Sequence, residues 1–336
     1  MGQAVPLVRA IAMMPTLSWL ARQGYSVEQL LKRHQLTSVL YCSPLRPVPL
    51  TRVANFLKET AEAEGPDLPF RVVTEADPLE LAQIGRVALG ARTPHEAITR
   101  IANGLPYYCS HELLTLETVG RETIVRHAYG VRFDPVAGHL MLQYAVAVLE
   151  RLCGMATATR PRLRQLEVLA HPEFGVEHLL PWLGESIITS TNKQAITVWI
   201  PSEVANRKFG KRTRDRSGDP LFAHLKPLRG DGRFTSSVHV LVAAMLEDGV
   251  PTVMDIAQAA GMSSRTMQRR LQEEGQSFKQ VLDAVRQEQA ELELKSSGAP
   301  MSQVAASLGY RRQASLTRSM RRWTGVSPIA YRNQSD

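Results

Sequence analysis

Two short stretches of this sequence carry side chains suited to reading a base pair. Arg265, Gln268 and Arg269 fall away from the apolar stripe of one predicted helix. Arg311, Arg312, Gln313, Ser315, Thr317, Arg318, Arg321 and Arg322 crowd the outer faces of another, with no acidic residue among them. Arginine pairs bidentately with guanine and glutamine with adenine, while hydroxyls reach phosphates or bases. One arginine-rich helix face is ordinarily just solvated. Two such faces, each following a short apolar helix and a glycine, are a more specific signal.

The elements that must hold them follow from periodicity. Val253, Ile256, Ala257 and Ala260 make an i, i+3, i+4, i+7 stripe, with Thr252 as N-cap and Asp255 in the first turn. Gly261 stops this helix, and Ser263 or Ser264 caps the next, Arg265 to Glu273, with Met267 and Leu271 inward. The layout returns with Met301, Val304, Ala305 and Leu308, then Gly309, then a helix from Arg312 to Trp323 with Leu316, Met320 and Trp323 inward. Helix, glycine turn and basic helix is the helix-turn-helix arrangement. Phe278 to Lys295 reads as a connecting helix packed against both units through Val281, Leu282, Val285, Ala290, Leu292 and Leu294. Gly298-Ala299-Pro300 ends it. Two such helices on a rigid connector fit successive major grooves on one DNA face.

The runs IAQAAGMSSRTMQRRLQEEGQSF (256–278) and VAASLGYRRQASLTRSMRRWTGVSPIAYR (304–332) resemble the DNA-binding domain of the AraC/XylS transcription regulators. The second run holds the more specific signature: a glycine-aromatic turn, a basic helix and Thr-Gly-x-Ser-Pro-x-x-Tyr-Arg. The resemblance covers about a hundred residues. It implies base-facing roles for Arg265, Gln268 and Arg269 in the first unit, and for Gln313, Ser315 and Arg318 in the second, with Ala314 at another contact position. Ser264, Arg311, Arg312 and Thr317 complete the expected DNA-facing set. Arg311-Arg312 stands where the family usually has serine and an acidic residue, so the second helix lacks its usual N-cap and gains positive charge. The first unit is therefore expected to supply more of the base reading and the second more of the backbone contact.

With 336 residues, the chain is long enough for two domains with separate cores. Hydrophobic content of 44% and charged content of 21% are those of a globular protein. The net charge of +8 suits nucleic acid or anionic surfaces as partners, but the basic residues are spread over both halves. Cys42, Cys109 and Cys153 are widely spaced without a CxxC or Cys/His pattern, which suggests free thiols in a reducing cytoplasm. No targeting segment and no run of membrane-spanning length stand out.

Before the DNA-binding segment, the pattern predicts helices over Val5–Met14, Leu17–Gly24 and Ser26–His34, the last with a Ser26/Gln29 capping box. Pro44, Pro47 and Pro49 suggest a loop over 42–50, and Thr51 a cap for a helix over Arg52–Ala63. Further helices are expected over Glu80–Gly90 and from Thr93-Pro94. ELLTLETVG (112–120) and RETIVRHAYGVRF (121–133) alternate as a hairpin about Gly120. Asp134-Pro135 opens a long buried helix, Val136 to Ala156. A strand at 165–170, a helix at 174–184 and strands in SIIT and QAITVWI follow. This order predicts an α+β domain over residues 1–205, which also resembles the effector or dimerisation domain of the AraC branch named for arabinose binding. A basic linker over 206–231 holds Arg207, Lys208, Lys211, Arg212, Arg214 and Arg216 against Asp215 and Asp219. An all-α domain with two tandem helix-turn-helix units over 232–336 completes the chain, its first helix capped by Thr235.

Other chemistry is less well supported. Cys109 and His111 could meet, but no orienting carboxylate or oxyanion donor accompanies them. His171 and His178 lack a third ligand at metal-site spacing. No phosphate-cradling glycine motif is present. Arg86, Arg92, Arg100 and Arg121 could serve an anionic ligand, though a solvated surface is the simpler reading. The expectation is a homodimeric, ligand-responsive bacterial transcription regulator and not an enzyme; the alternatives are an effector-independent DNA-binding protein whose first domain only dimerises, and an enzyme domain fused to a DNA-targeting module. Its partners would be promoter DNA, RNA polymerase and a small-molecule effector, with no metal or other cofactor.

Overall fold

The computed structural model describes residues 4–41, 43–76, 90–210, 225, 227–228, 231–246, 249–296 and 298–334. Cys42, Arg86, nearly all of the helix expected over Glu80–Gly90, and Lys211, Arg212, Arg214, Asp215, Arg216 and Asp219 of the basic linker lie outside the described residues. The chain divides into two compact units, residues 6–229 and residues 230–336 together with 1–5.

The first unit opens differently from the expectation. Its first element is a strand, β1 (Leu7–Arg9), followed by a 3-10 turn (Ala10–Met13), and only then by helix α1 (Met14–Arg22). Helix α2 (Val27–Arg33) forms without the Ser26/Gln29 capping box, since Ser26 makes no side-chain cap. The proline-broken stretch contains a strand as well. Strand β2 (Pro47–Pro49) pairs antiparallel with β1, with Leu7 opposite Pro49 and Arg9 opposite Pro47. The prolines cannot donate, but this sheet has only two strands, and flanking N–H groups close the ladder: Ala10 donates to Arg46 O (2.9 Å) and Leu50 to Pro6 O (3.0 Å).

Helix α3 (Leu50–Glu64) begins before Thr51, so Thr51 is inside the helix and not its cap. Helix α4 (Leu68–Glu75) was not expected; a Pro at its start and only eight residues hide its apolar face. Helix α5 (Pro94–Tyr108) is capped by Thr93, which accepts from Glu96 N–H. Strands β3 (Glu112–Val119) and β4 (Glu122–Tyr129) form the hairpin, and Asp134 caps helix α6 (Pro135–Ala156) by accepting from Val136 and Ala137. After β5 (Gln165–Leu169), the predicted helix at 174–184 is instead a 3-10 turn, Glu177–Leu179, running into a single-turn helix, α7 (Leu180–Leu183). Strands β6 (Ile187–Thr191) and β7 (Ala195–Pro201) and the short α8 (Ser202–Ala205) finish the unit.

The five-stranded sheet runs β3-β4-β7-β5-β6, antiparallel except for the β5–β6 pair. Helix α6 buries Leu142, Val146, Leu149 and Cys153 in one core with Val125, Leu166, Val168, Ile196, Val198 and Ile200 of the sheet. Its N-terminal part, Ala137 and Leu140, joins a second core with α1, α3 and α4. The fold is therefore an α/β region with two sheets, followed by an all-helical region. Among the described residues no helix is long and apolar enough to cross a membrane.

The second unit begins with helix α9 (Phe234–Leu246). Its N-terminus is capped from a distance. Phe234 and Thr235 N–H groups both donate to the Glu274 carboxylate, at 2.9 and 2.8 Å. The cap is therefore Glu274 and not Thr235. Helices α10 (Val253–Ala259), α11 (Ser264–Glu273), α12 (Phe278–Ser296), α13 (Met301–Ser307), α14 (Gln313–Thr324) and α15 (Pro328–Asn333) follow.

Candidate nucleic-acid interface and an N-terminal cavity

Each helix pair of the second unit is built by the same local hydrogen bonds. Thr252 and Asp255 form a reciprocal capping box that starts α10. At its end Gly261 N–H donates to Gln258 O (3.1 Å) and Met262 N–H to Ala257 O (2.9 Å), with Gly261 at φ +67°. The second pair repeats this: Gly309 N–H reaches Ala306 O (2.9 Å) and Tyr310 N–H reaches Ala305 O (2.8 Å), with Gly309 at φ +72°. Both are the paired 6→1 and 5→2 bonds of a Schellman turn, which needs a left-handed residue at the glycine. The two turns thus aim α11 and α14 by one device.

The reading helices start differently. Ser263 caps α11 by accepting from Thr266 N–H at 3.1 Å. Arg312 stands at the cap position of α14 and makes no side-chain cap. Met267 and Leu271 anchor α11, and Leu316 and Met320 anchor α14; all four are buried. Arg265, Gln268 and Arg269 are exposed on α11, and Ser264 is half-buried at its start. Arg311, Arg312, Gln313, Ala314 and Arg318 are exposed at α14, and Ser315 and Thr317 are half-buried.

The arginines are not equivalent. Arg269 is ion-paired with Glu273 one turn on, both exposed. Arg270 turns away and lies over the Phe234 ring at 5.4 Å. Arg322 reaches Asp283 of the connector at 3.1 Å and lies over Trp323. Arg318 touches only Ser315, at 3.4 Å, among the bonds described for it.

The connector α12 has a capping box that sequence reasoning missed: Ser277 N–H donates to Gln280 Oε1 (2.8 Å) and Gln280 N–H to Ser277 Oγ (3.3 Å). The S-x-x-Q spacing was its visible signal. Val281, Val285, Ala290 and Leu294 are buried, whereas Leu292, expected to pack, is 67% exposed. Arg286 fixes the second unit to the connector by donating to Leu308 O (3.0 Å) and lying over Tyr310 at 4.6 Å. The tail signature is structural: Ser327 caps α15, Lys295 lies over Tyr331, and Arg332 donates to Ala299 O at 2.8 Å.

The first unit contains a cavity of about 180 Å³. Its walls come from the 3-10 turn after β1, from α3 and α5, from the β3–β4 hairpin and from α6. They are almost wholly aliphatic and aromatic, and among the described residues no Lys, Arg or Asp lines them. Its polar corner is Glu112, whose carboxylate accepts from Nε2 of His127 at 2.7 Å. His127 is 2% exposed. Register explains the meeting. Glu112 lies opposite Tyr129 and Leu114 opposite His127, so Glu112 and His127 are diagonal neighbours on the inward face of the hairpin. The signal in the sequence was a charged residue and a histidine on the apolar phase of alternating strands.

Cys109 borders the same corner. Burial pushes its thiol well above the ordinary value, and the Glu112 carboxylate adds to this. It is thus held as the thiol and is a poor nucleophile. Burial, then Glu112, likewise raises the Tyr129 phenol. His111 bonds to Ser110 at 2.7 Å, and Ser110 is itself occupied by the Leu7 backbone. Cys109 and His111, set aside as a catalytic pair, therefore serve the packing of β1.

His171 and His178 do acquire a third imidazole, His139 of α6, which their spacing could not reveal. Nδ1 of His139 donates to Leu169 O (2.6 Å), leaving its Nε2 to accept from His178 at 3.0 Å. His171 Nδ1 accepts from the N–H groups of Glu173 and Phe174. Burial lowers all three, His139 to about 4. These rings are neutral and hydrogen-bonded, and among the described residues no group of three or more ligands has metal-site geometry.

The helix-turn-helix domain family matches residues 256–334. This segment is an AraC-type helix-turn-helix domain. The chain is 36% identical over 88 residues to the HTH-type transcriptional regulator VqsM of Pseudomonas aeruginosa, covering 26% of this chain and 27% of that one. It is 28% identical over 283 residues to the HTH-type transcriptional regulator VirS of Mycobacterium tuberculosis, covering 81% of this chain and 80% of that one. Among solved structures, the DNA-binding domain of AdpA in complex with a target DNA covers 30% of this chain and 90% of its own, at 32% identity and a TM-score of 0.28. The chain is a helix-turn-helix, DNA-binding transcription regulator.

Proposed function

We propose that this AraC-type regulator reads promoter DNA with both helix-turn-helix units and answers a small molecule held by its first unit. Arg265, Gln268 and Arg269 would face bases in one major groove. Gln313, Ser315 and Arg318 would face bases in the next, with Ser264, Arg311, Arg312 and Thr317 at phosphates or groove edges. The observation that carries this is the duplicated Schellman turn, each followed by a helix with buried apolar anchors and an exposed Arg/Gln face. The apolar cavity with one buried polar corner supports the ligand reading. The chain would act as a homodimer that recruits RNA polymerase, with effector binding shifting the balance between DNA-competent and incompetent states.

The experiment is selection of bound sequences from a random DNA pool with the full chain, repeated for Arg269→Ala. Losing one bidentate contact should cost about 1–3 kcal/mol of discrimination at one base pair and leave preferences elsewhere intact. An unchanged preference at every position would sink the assignment of Arg269.

A further inference from the structure

We propose that β6, an edge strand of the five-stranded sheet, pairs antiparallel with β6 of a second copy of this chain about a two-fold axis at Thr189, joining the two sheets into one. The first observation is the open edge. β6 ends the sheet on one side, and β5 is its only strand partner among the described residues. Such an edge offers N–H and C=O groups to another strand, and proteins guard it with charge, proline or a bulge. The second is composition. β6 reads Ile-Ile-Thr-Ser-Thr, with no charge, proline or glycine. The opposite edge, β3, is guarded by Glu117, which is exposed and ion-paired with Arg126. The third is backbone phase. Ile187 N–H donates to Arg164 O (3.0 Å), so Ile187, Thr189 and Thr191 turn their backbone groups to β5, and Ile188 and Ser190 turn theirs outward. A two-fold axis at Thr189 sets Ile188 opposite Ser190 of the second copy, so the outward groups are the ones that exchange hydrogen bonds. Thr189 meets its own copy as a Thr–Thr pair. The fourth is charge, which selects this register. Glu185 lies four residues before Thr189 and Lys193 four after, so each carboxylate faces the other copy's ammonium, twice by symmetry. Both side chains are exposed, and neither has an ion-pair partner among the described residues. Ile187, 57% exposed, and Leu180, 49% exposed on the one-turn helix that leads into β6, add apolar area.

The inference rests on the reading of the chain as a homodimer and gives that dimer its surface. Sedimentation equilibrium of the full chain tests it. We expect a dimer whose dissociation constant rises at least about tenfold in Glu185→Lys and in Lys193→Glu, where like charges oppose each other twice. Mixing these two variants should restore the wild-type value, because each copy then meets opposite charge at both ends. Ser190→Pro deletes an outward N–H and no bond to β5, so it should keep the melting temperature and lose the dimer. Thr189→Cys should form a reducible cross-linked dimer that neither the wild type nor Ile187→Cys forms, since only the residue on the axis meets itself. If Ser190→Pro does not fold, the charge mixture and the cross-link decide. A dimer of unchanged affinity in both charge variants, no restoration on mixing, or no cross-link at Thr189→Cys would each overturn the β6 pairing while the homodimer reading stands. A wild-type chain that stays monomeric at concentrations saturating its selected DNA would end both.

Discussion

Glu274 shows how much one side chain does in the DNA-binding unit. Its carboxylate takes two orphan N–H groups at the start of α9, and Arg233 lies 3.9 Å away. Burial opposes its ionisation, but the hydrogen bonds from Thr235 and Phe234 and the charge of Arg233 outweigh this and hold its pKa below the ordinary value. A carboxyl that ionises more readily in the folded state adds stability above its unfolded pKa and loses it as pH falls through the folded one. Glu274→Gln should therefore destabilise the chain at pH 7 by about 1 kcal/mol and flatten the acid limb below pH 5. Urea midpoints at pH 7 and pH 4 measure both effects. His139 works on a different window. Its folded value of about 4 lies below 6.5, so the unfolded chain takes up the proton first. Its contribution is full above pH 6.5 and falls by up to about 1.4 kcal/mol per pH unit down to about 4, with His171 and His178 adding to the same slope. His139→Gln should flatten the urea-midpoint profile between pH 6.5 and 5, and an unchanged profile would contradict the assignment.

At the scale of elements, the turns decide where the reading helices point. Gly309 has φ +72°, and a Cβ there would lie 2.2 Å from Cγ2 of Val250. Gly309→Ala should cost about 1–3 kcal/mol and weaken DNA binding through α14 while leaving the α10–α11 pair intact. Amide exchange, read separately over α13–α14 and α10–α11, distinguishes this from global loss of structure. These turns were legible because each is closed within six residues, so a glycine at the end of an apolar stripe carries the whole instruction. The Thr252/Asp255 box and the Thr93 and Asp134 caps were legible for the same reason. Ser26 and Gln29 had the right spacing and did not form a box, because spacing permits a cap without compelling the side chain to take it. Strands β1 and β2 were illegible: three residues each, one of them proline-rich, they exist only by pairing across forty residues.

At the scale of the molecule, two helix-turn-helix units with unequal charge should divide the work. The first keeps a serine cap and a mixed Arg/Gln face; the second opens on uncapped, exposed Arg311 and Arg312. If that pair meets phosphates, Arg311→Ser with Arg312→Asp should lower affinity on all sequences alike and reduce the slope of log affinity against log salt by about 2. A slope that does not move would return the second unit to base reading.

The sequence by itself determined the tandem units, their turns, the anchors Met267, Leu271, Leu316 and Met320, the exposed basic faces and the hairpin, because each is written in periodicity and contacts a few residues long. The tertiary structure alone decided that Glu112 meets His127 in an apolar wall, that His139 joins His171 and His178, and that Glu274 caps α9. Those meetings span 15 to 40 residues of chain. They depend on strand register and helix packing, which fix side chains in space only after the cores have closed.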